Sequence, residues 1–165
     1  MKTGGEGVAG IETLPEPAFE FLFGMTLEVE APDPIRQTYA GNRRVVGVSG
    51  GAFEGPKLKG RVLPGGSDWI VVRSDGVLIQ DVRIVLRTDD GQNILMSYRG
   101  MRHGPEDVIE RVNAGEDPDP SEYYFRTQPI FEAPDGEYDW LNKLMAFAVG
   151  RRHASGVTYA VYALA

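Results

Sequence analysis

The 165-residue sequence is 42% hydrophobic and 25% charged, lacks cysteine and carries a formal charge of −7 with its histidines neutral. That length and composition predict one globular domain without disulfides, a thiolate nucleophile or a Cys-ligated metal. The acidic balance disfavours nucleic-acid partners, whose phosphates require clustered Lys and Arg, and no run approaches the roughly 20 apolar residues of a membrane-spanning helix.

The opening MKTGGEGVAG is broken by glycines before any apolar core forms, which makes a poor signal peptide. Residues 1–16 read as a flexible tail, 17–165 as a single domain, and the expected location is cytoplasmic, with no membrane partner. From Phe19, the stretch FEFLFGMTLEVE places Phe19, Phe21, Phe23, Met25, Leu27 and Val29 at alternate positions, a strand with one strongly apolar face. Pro32 and Pro34 close it, because proline cannot donate to a ladder and restricts the residue before it.

Further strands are expected at 43–50, 57–63, 68–74, 77–88, 93–100, 122–133, 143–153 and 157–165. Within these, Lys143 to Val149 is a short apolar run that fits either a helix or a buried strand, and is read as strand. One short helix is expected near 105–113, where Pro105 opens the segment, acids fill the first turn, and Val108, Ile109 and Val112 share a side. Residues 114–122, AGEDPDPSE, read as a mobile loop. Many short strands separated by Gly, Pro and Asp predict an all-β fold, an antiparallel β-barrel or strongly curved sandwich of about 8–10 strands. The apolar face at 19–29 and the apolar final strand VTYAVYALA predict a homodimer.

Candidate chemistry begins at Asp90-Gly91, a pair that favours a two-residue hairpin turn. If Asp89 faces Gln92, Arg83 lies opposite Tyr98, and Asp81, Arg83 and Tyr98 share one face. A carboxylate, a guanidinium and a phenol can then take a proton, hold an anionic oxygen and donate a hydrogen bond; a structural ion pair explains the same residues. Asp68, after Pro64-Gly65-Gly66, is either a base beside the aromatic wall of Trp69 or a turn-capping carboxylate beside a core tryptophan. Trp140 and Asn142 in YDWLN suit stacking on a ligand and holding a carbonyl, or plain core and turn chemistry. Arg126 shares a strand face with Tyr124, which suits an anionic or aromatic ligand or a surface cation–π contact.

Two histidines, His103 and His153, lie far apart in sequence and no carboxylate spacing completes a metal site. Ser49 lies in GVSGG without the strand-to-helix elbow that a G-x-S-x-G nucleophile needs, and GGAFEGP is followed by neither G-K-[ST] nor a helix start. The expectation is therefore a protein without metal or cofactor.

The segments GGAFEGPKLKGRVLPGGSDW, DGVLIQDVRIVLRTDDG, YRG, YYFRTQPIFEA and YDWLN together resemble the domain of unknown function 3237 family across nearly the whole chain. The resemblance implies a mainly antiparallel, lipocalin-like β-barrel. It also points to Asp68, Trp69, Asp81, Arg83, Tyr98, Arg126, Trp140 and Asn142 as the pocket set, in which residue chemistry makes Asp68, Asp81, Arg83 and Tyr98 the catalytic candidates and Trp69, Arg126, Trp140 and Asn142 the substrate-binding ones. On this reading, the glycines between 50 and 66 let strands bend and close the barrel, with Asp68-Trp69 at its rim. The expected function is cofactor-independent acid–base proton transfer, as in an isomerase, lyase or cyclase, on a small aromatic or polyketide-like carbonyl compound. The alternative is a non-catalytic small-molecule carrier.

Overall fold

Ten strands, each paired antiparallel to its neighbours, wrap into a closed barrel in the computed structural model, which describes residues 7–165. They are β1 (Phe19–Val29), β2 (Asp33–Thr38), β3 (Gly41–Glu54), β4 (Lys59–Val62), β5 (Gly66–Val72), β6 (Leu78–Thr88), β7 (Asn93–His103), β8 (Tyr124–Glu132), β9 (Met145–His153) and β10 (Gly156–Leu164). The one α-helix among the described residues, α1 (Glu106–Asn113), follows β7. The circuit runs β1-β10-β9-β8-β7-β6, passes through β4 and β5 to β3, and closes where β3 pairs with β1. Because β4 and β5 share the slot between β3 and β6, and β2 continues the β1 edge of β3, ten strands make an eight-stave barrel.

Closure depends on the long β3, whose second half pairs with β1 while its first half pairs with β5. Gly51 sits at this seam with φ 146°, and a Cβ there would fall 2.0 Å from the Thr26 carbonyl oxygen, so only glycine lets the two backbones approach.

Two strands depart from the sequence expectation. β2 occupies 33–38 where Pro32 and Pro34 suggested a break; it is an edge strand, where the missing proline N–H costs no ladder bond. In β1 the register slips between Phe21 and Phe23. This bulge turns Leu22 and Phe23 inward and leaves Phe19 and Phe21 outside, dividing the apolar face that strict alternation predicted. The ambiguous run at 143–149 joins the end of a 3-10 turn (Asp139–Lys143) to β9. Helix α1 forms as expected, with Pro105 one position earlier, at the N-cap, and Val108 and Val112 buried. Of the expected flexible tail 1–16, residues 1–6 lie outside the described residues; residues 7–16 are exposed and include a 3-10 turn at Ile11–Thr13.

The barrel interior divides by height. At the end bearing the β6–β7 hairpin it is solid, filled by Phe23, Phe53, Leu86, Ile94, Met96 and Phe131. Towards the other end it opens into a cavity of about 470 Å³, walled in part by Ile109, Val112 and Asn113 from α1.

Candidate functional site

Along β6 the inward row is Leu78, Gln80, Val82, Ile84 and Leu86, an apolar series interrupted by one amide. Gln80 is buried and its Nε2 donates to Asp68 Oδ2 on β5 at 3.0 Å and to the Tyr159 hydroxyl on β10 at 3.3 Å. The other carboxylate oxygen, Asp68 Oδ1, accepts the backbone N–H of Asp81 at 3.1 Å. That N–H is available because the β5–β6 pairing lapses between Asp68–Val82 and Val71–Ile79.

Tyr98 enters the cavity from β7 beside Tyr159, the two rings meeting edge to face at 5.4 Å. Its buried hydroxyl has no hydrogen-bond partner among the described residues, and the same holds for Gln80 Oε1 and Thr127 Oγ1. Orphaned polar atoms are uncommon in native interiors, so those facing a cavity mark where a guest can bond.

Burial dominates the electrostatics of this cluster. It pushes the Asp68 carboxyl up to about 6, against the lowering effects of the Asp81 N–H, the Gln80 amide and the Arg44 charge. Burial likewise raises the Tyr98 and Tyr159 phenols well above their ordinary values. A carboxyl poised near neutrality, with two phenols that stay protonated, can exchange a proton with a guest while the phenols bond to its oxygen.

The cavity also takes three arginines, Arg44, Arg102 and Arg152. Strand register places each one step from the Asp68 cluster: Arg44 pairs with Ile70, two residues beyond Asp68; Arg102 with Leu78, two before Gln80; Arg152 with Val157, two before Tyr159. Two residues along a strand span roughly 7 Å, so the guanidinium-bearing positions form a second tier above the Asp68 tier. It lies on the side of the β5–β6 turn and α1.

Of the residues expected from sequence to line a pocket, Asp68 and Tyr98 do. Asp81 and Arg83 lie outside, exposed, and Asp81 reaches only Arg99, at 4.0 Å. The reason is the hairpin. Thr88 N–H bonds Gln92 O at 2.9 Å, leaving Asp89, Asp90 and Gly91 as a three-residue loop with Gly91 left-handed at φ 91°. The register is therefore Val82–Tyr98 and Arg83–Ser97, one residue from the two-residue-turn expectation, and a slip of one reverses the face.

Trp69 is on the outer face, 51% exposed. Arg126 is also outside, 5.1 Å over the Tyr124 ring, the surface cation–π arrangement. Trp140 packs against the exterior of the main core with Lys57 Nζ 5.2 Å from its ring centre. Asn142 acts as a piece of ladder: its Oδ1 accepts from Ala133 N–H at 2.7 Å and its Nδ2 donates to Ala133 O at 2.9 Å, beside strands β8 and β9 that pair at only two positions.

Sequence reasoning missed Gln80, Tyr159 and the three arginines. The signal for Gln80 was present in the apolar alternation of β6, which outweighs a turn-type inference when the two disagree. Among the described residues no group of three or more His, Asp or Glu is placed to hold a metal ion, and no helix is long and apolar enough to cross a membrane.

Comparison with known proteins returns one consistent picture. Residues 17–164 match the family described as "Protein of unknown function (DUF3237)". A UPF0311 protein of Clostridium acetobutylicum is 38% identical over 132 residues, covering 79% of this chain and 84% of that protein. A crystal structure of a "beta-barrel like protein" from Acinetobacter baumannii superposes with a TM-score of 0.81 at 37% identity, covering 92% of this chain and 98% of that one. A structure of "an enzyme from Penicillium herquei" shares the fold at 22% identity, with a TM-score of 0.70 over 92% of this chain and 98% of that one.

Proposed function

The chain belongs to the DUF3237 family of β-barrel proteins, and from the chemistry of its cavity we propose that it binds a small carbonyl compound and moves a proton on it without a cofactor. The observation that carries this reading is a buried carboxyl, Asp68, raised to about 6 and facing a cavity that also holds the unpartnered Tyr98 hydroxyl.

In the proposed reaction, Asp68 in its ionised form removes a proton from the carbon next to the carbonyl. The negative charge that develops on the carbonyl oxygen is met by hydrogen bonds from Tyr98 or Tyr159, fixed in a low-dielectric interior where such donors act most strongly. Gln80 holds the carboxylate in place through the 3.0 Å bond to Oδ2. Return of the proton to a different atom gives an isomerase; loss of a leaving group or attack by an internal nucleophile gives a lyase or cyclase. The occurrence of an enzyme on this fold in Penicillium herquei supports the reading by analogy of fold alone.

A second reading, a carrier, rests on the apolar walls of the cavity, among them Leu27, Val46, Ile70 and Phe125. One experiment separates the two. 2-Tetralone, an enolisable planar ketone, is incubated with the protein in deuterium oxide and its α-protons are followed by NMR. Catalysis predicts exchange above the buffer rate and a loss of about 10²–10⁴-fold in Asp68→Asn, the usual contribution of a positioned acid–base group. Saturable binding with exchange at the buffer rate supports the carrier.

A further inference from the structure

The three arginines of the upper tier are not used by the proton transfer just described. Arg102 is only 8% exposed, and its one side-chain hydrogen bond among the described residues goes from Nη2 to Asn113 Oδ1 at 3.2 Å. Arg152 donates to two backbone carbonyl oxygens, those of His153 and Gly156. The Arg44 side chain makes no hydrogen bond among the described residues, and none of the three guanidinium groups is within ion-pair distance of a carboxylate there.

Burying one guanidinium without a counter-ion is costly, and placing three around one cavity adds mutual repulsion. That strain is visible at Arg102: burial first, then the charges of Arg152 and Arg44, bring it down to about 10. Two carboxylates line the same cavity, Asp68 and the exposed rim residue Glu30. Asp68 is already engaged by Gln80 and the Asp81 N–H and is readily neutralised near pH 6, and Glu30 reaches none of the arginines within 4 Å. The cavity thus carries an excess of positive charge inside a chain whose overall charge is −7. In an acidic protein, such a concentration of guanidinium groups without a carboxylate counter-ion among the described residues, set around apolar walls, is complementary to an anionic guest.

We infer that the guest is a small organic acid whose carboxylate sits among Arg44, Arg102 and Arg152 while its apolar body extends down the cavity to Asp68. Planar guanidinium groups match a carboxylate through paired, charge-assisted hydrogen bonds, which favours a carboxylate over a neutral polar group of the same size. The roughly 7 Å of strand between the two tiers sets the spacing of the guest: its anionic group stands several bonds from the carbon that meets Asp68. This identification rests on the cavity being the binding site, and it holds whether or not the guest is turned over.

The test compares 2-naphthoate with 2-naphthamide, equal in shape and differing in charge, by isothermal titration at pH 7.5 and low salt. The wild-type protein is expected to bind the acid about tenfold or more tightly than the amide, with the difference shrinking as salt rises. Arg44→Gln, at a half-buried position whose side chain makes no hydrogen bond or ion pair among the described residues, and Arg102→Gln should each cut the acid-to-amide ratio severalfold. Equal affinities, a preference for the amide, binding of neither up to millimolar concentration, or a ratio untouched by both substitutions would overturn the inference. Because every arm reads equilibrium binding, Asp68→Asn can abolish deuterium exchange, or wild type can fail to show it, without altering this result.

Discussion

Gln80 and Asp68 meet at 3.0 Å inside the barrel, the amide nitrogen donating to Oδ2, although 12 residues separate them in sequence. Each explains the other: an amide at an otherwise apolar inward position has a partner, and a buried carboxylate has its second oxygen satisfied. The arrangement still leaves the carboxyl poorly solvated, and its consequences are measurable.

The first concerns pH. Asp68 binds its proton more tightly in the folded chain, with its value raised from 3.8 to about 6, so between those values the native state holds more protons than the unfolded state. Stability contributed by this group is therefore lost as pH rises through that window, and the full penalty is present above pH 6. Asp68→Asn removes the titration, and rotation of Gln80 lets its Oε1 accept from the new amide. Urea unfolding should show the variant equal to wild type near pH 4 and more stable by on the order of 2–3 kcal/mol at pH 7.5, a two-unit shift at about 1.4 kcal/mol per unit.

Tyr98→Phe removes a buried hydroxyl that has no hydrogen-bond partner among the described residues. Its melting temperature is expected to stay the same or rise slightly, because an unsatisfied polar group is being deleted. Exchange of 2-tetralone protons should nevertheless fall about tenfold, the worth of one hydrogen bond to a charged oxygen. A drop in melting temperature with unchanged exchange would return Tyr98 to a purely structural part.

Asn142→Ala deletes two hydrogen bonds to the backbone of Ala133 where β8 and β9 are sparsely paired. The expected cost is about 1–3 kcal/mol by chemical denaturation, with the affinity for 2-naphthoate unchanged because the residue lies outside the cavity.

The outer faces of β1, β9 and β10 carry a stripe in which Phe19 meets Phe147 at 6.5 Å and Phe21 meets Tyr162 at 5.7 Å, with Met145 exposed alongside. We propose that this stripe pairs two copies of the chain. Light scattering at micromolar concentration is expected to give twice the 18.1 kDa chain mass, falling to the monomer value in Phe147→Glu.

Much of the barrel can be read from alternation, because a strand with one buried face must place apolar side chains at every second position. β6, β7 and β10 show this plainly, and α1 is marked by its opening proline and first-turn acids. What alternation could not supply was parity across irregularities. A three-residue turn at Asp89-Asp90-Gly91 and a bulge after Phe21 each shift the count by one, and each reverses which side chains face inward. Asp81 and Arg83 were misplaced for the first reason, Phe19 and Phe21 for the second. Asp68 was singled out for its place after Pro64-Gly65-Gly66, and Tyr98 through a register that the three-residue turn overturns, so Tyr98 lines the cavity without the Asp81 and Arg83 expected beside it; Arg44, Arg102 and Arg152 escaped notice because surface arginine is the ordinary case and only the closed structure shows three on one interior.

Closure of the ladder also decides how the cavity trades its contents with water. Most staves are hydrogen-bonded along both sides, β8 and β9 being the sparsely paired exception, and the hairpin end is plugged by aromatic and aliphatic side chains. The cavity thus opens towards the end walled by α1, an eight-residue helix that joins none of the ladders and is held to the barrel by its buried Val108 and Val112 and by the Arg102–Asn113 bond. Residence time and size cut-off for a guest are accordingly expected to follow that helix and its tether, separable by mutation from the chemistry proposed for the bottom of the cavity.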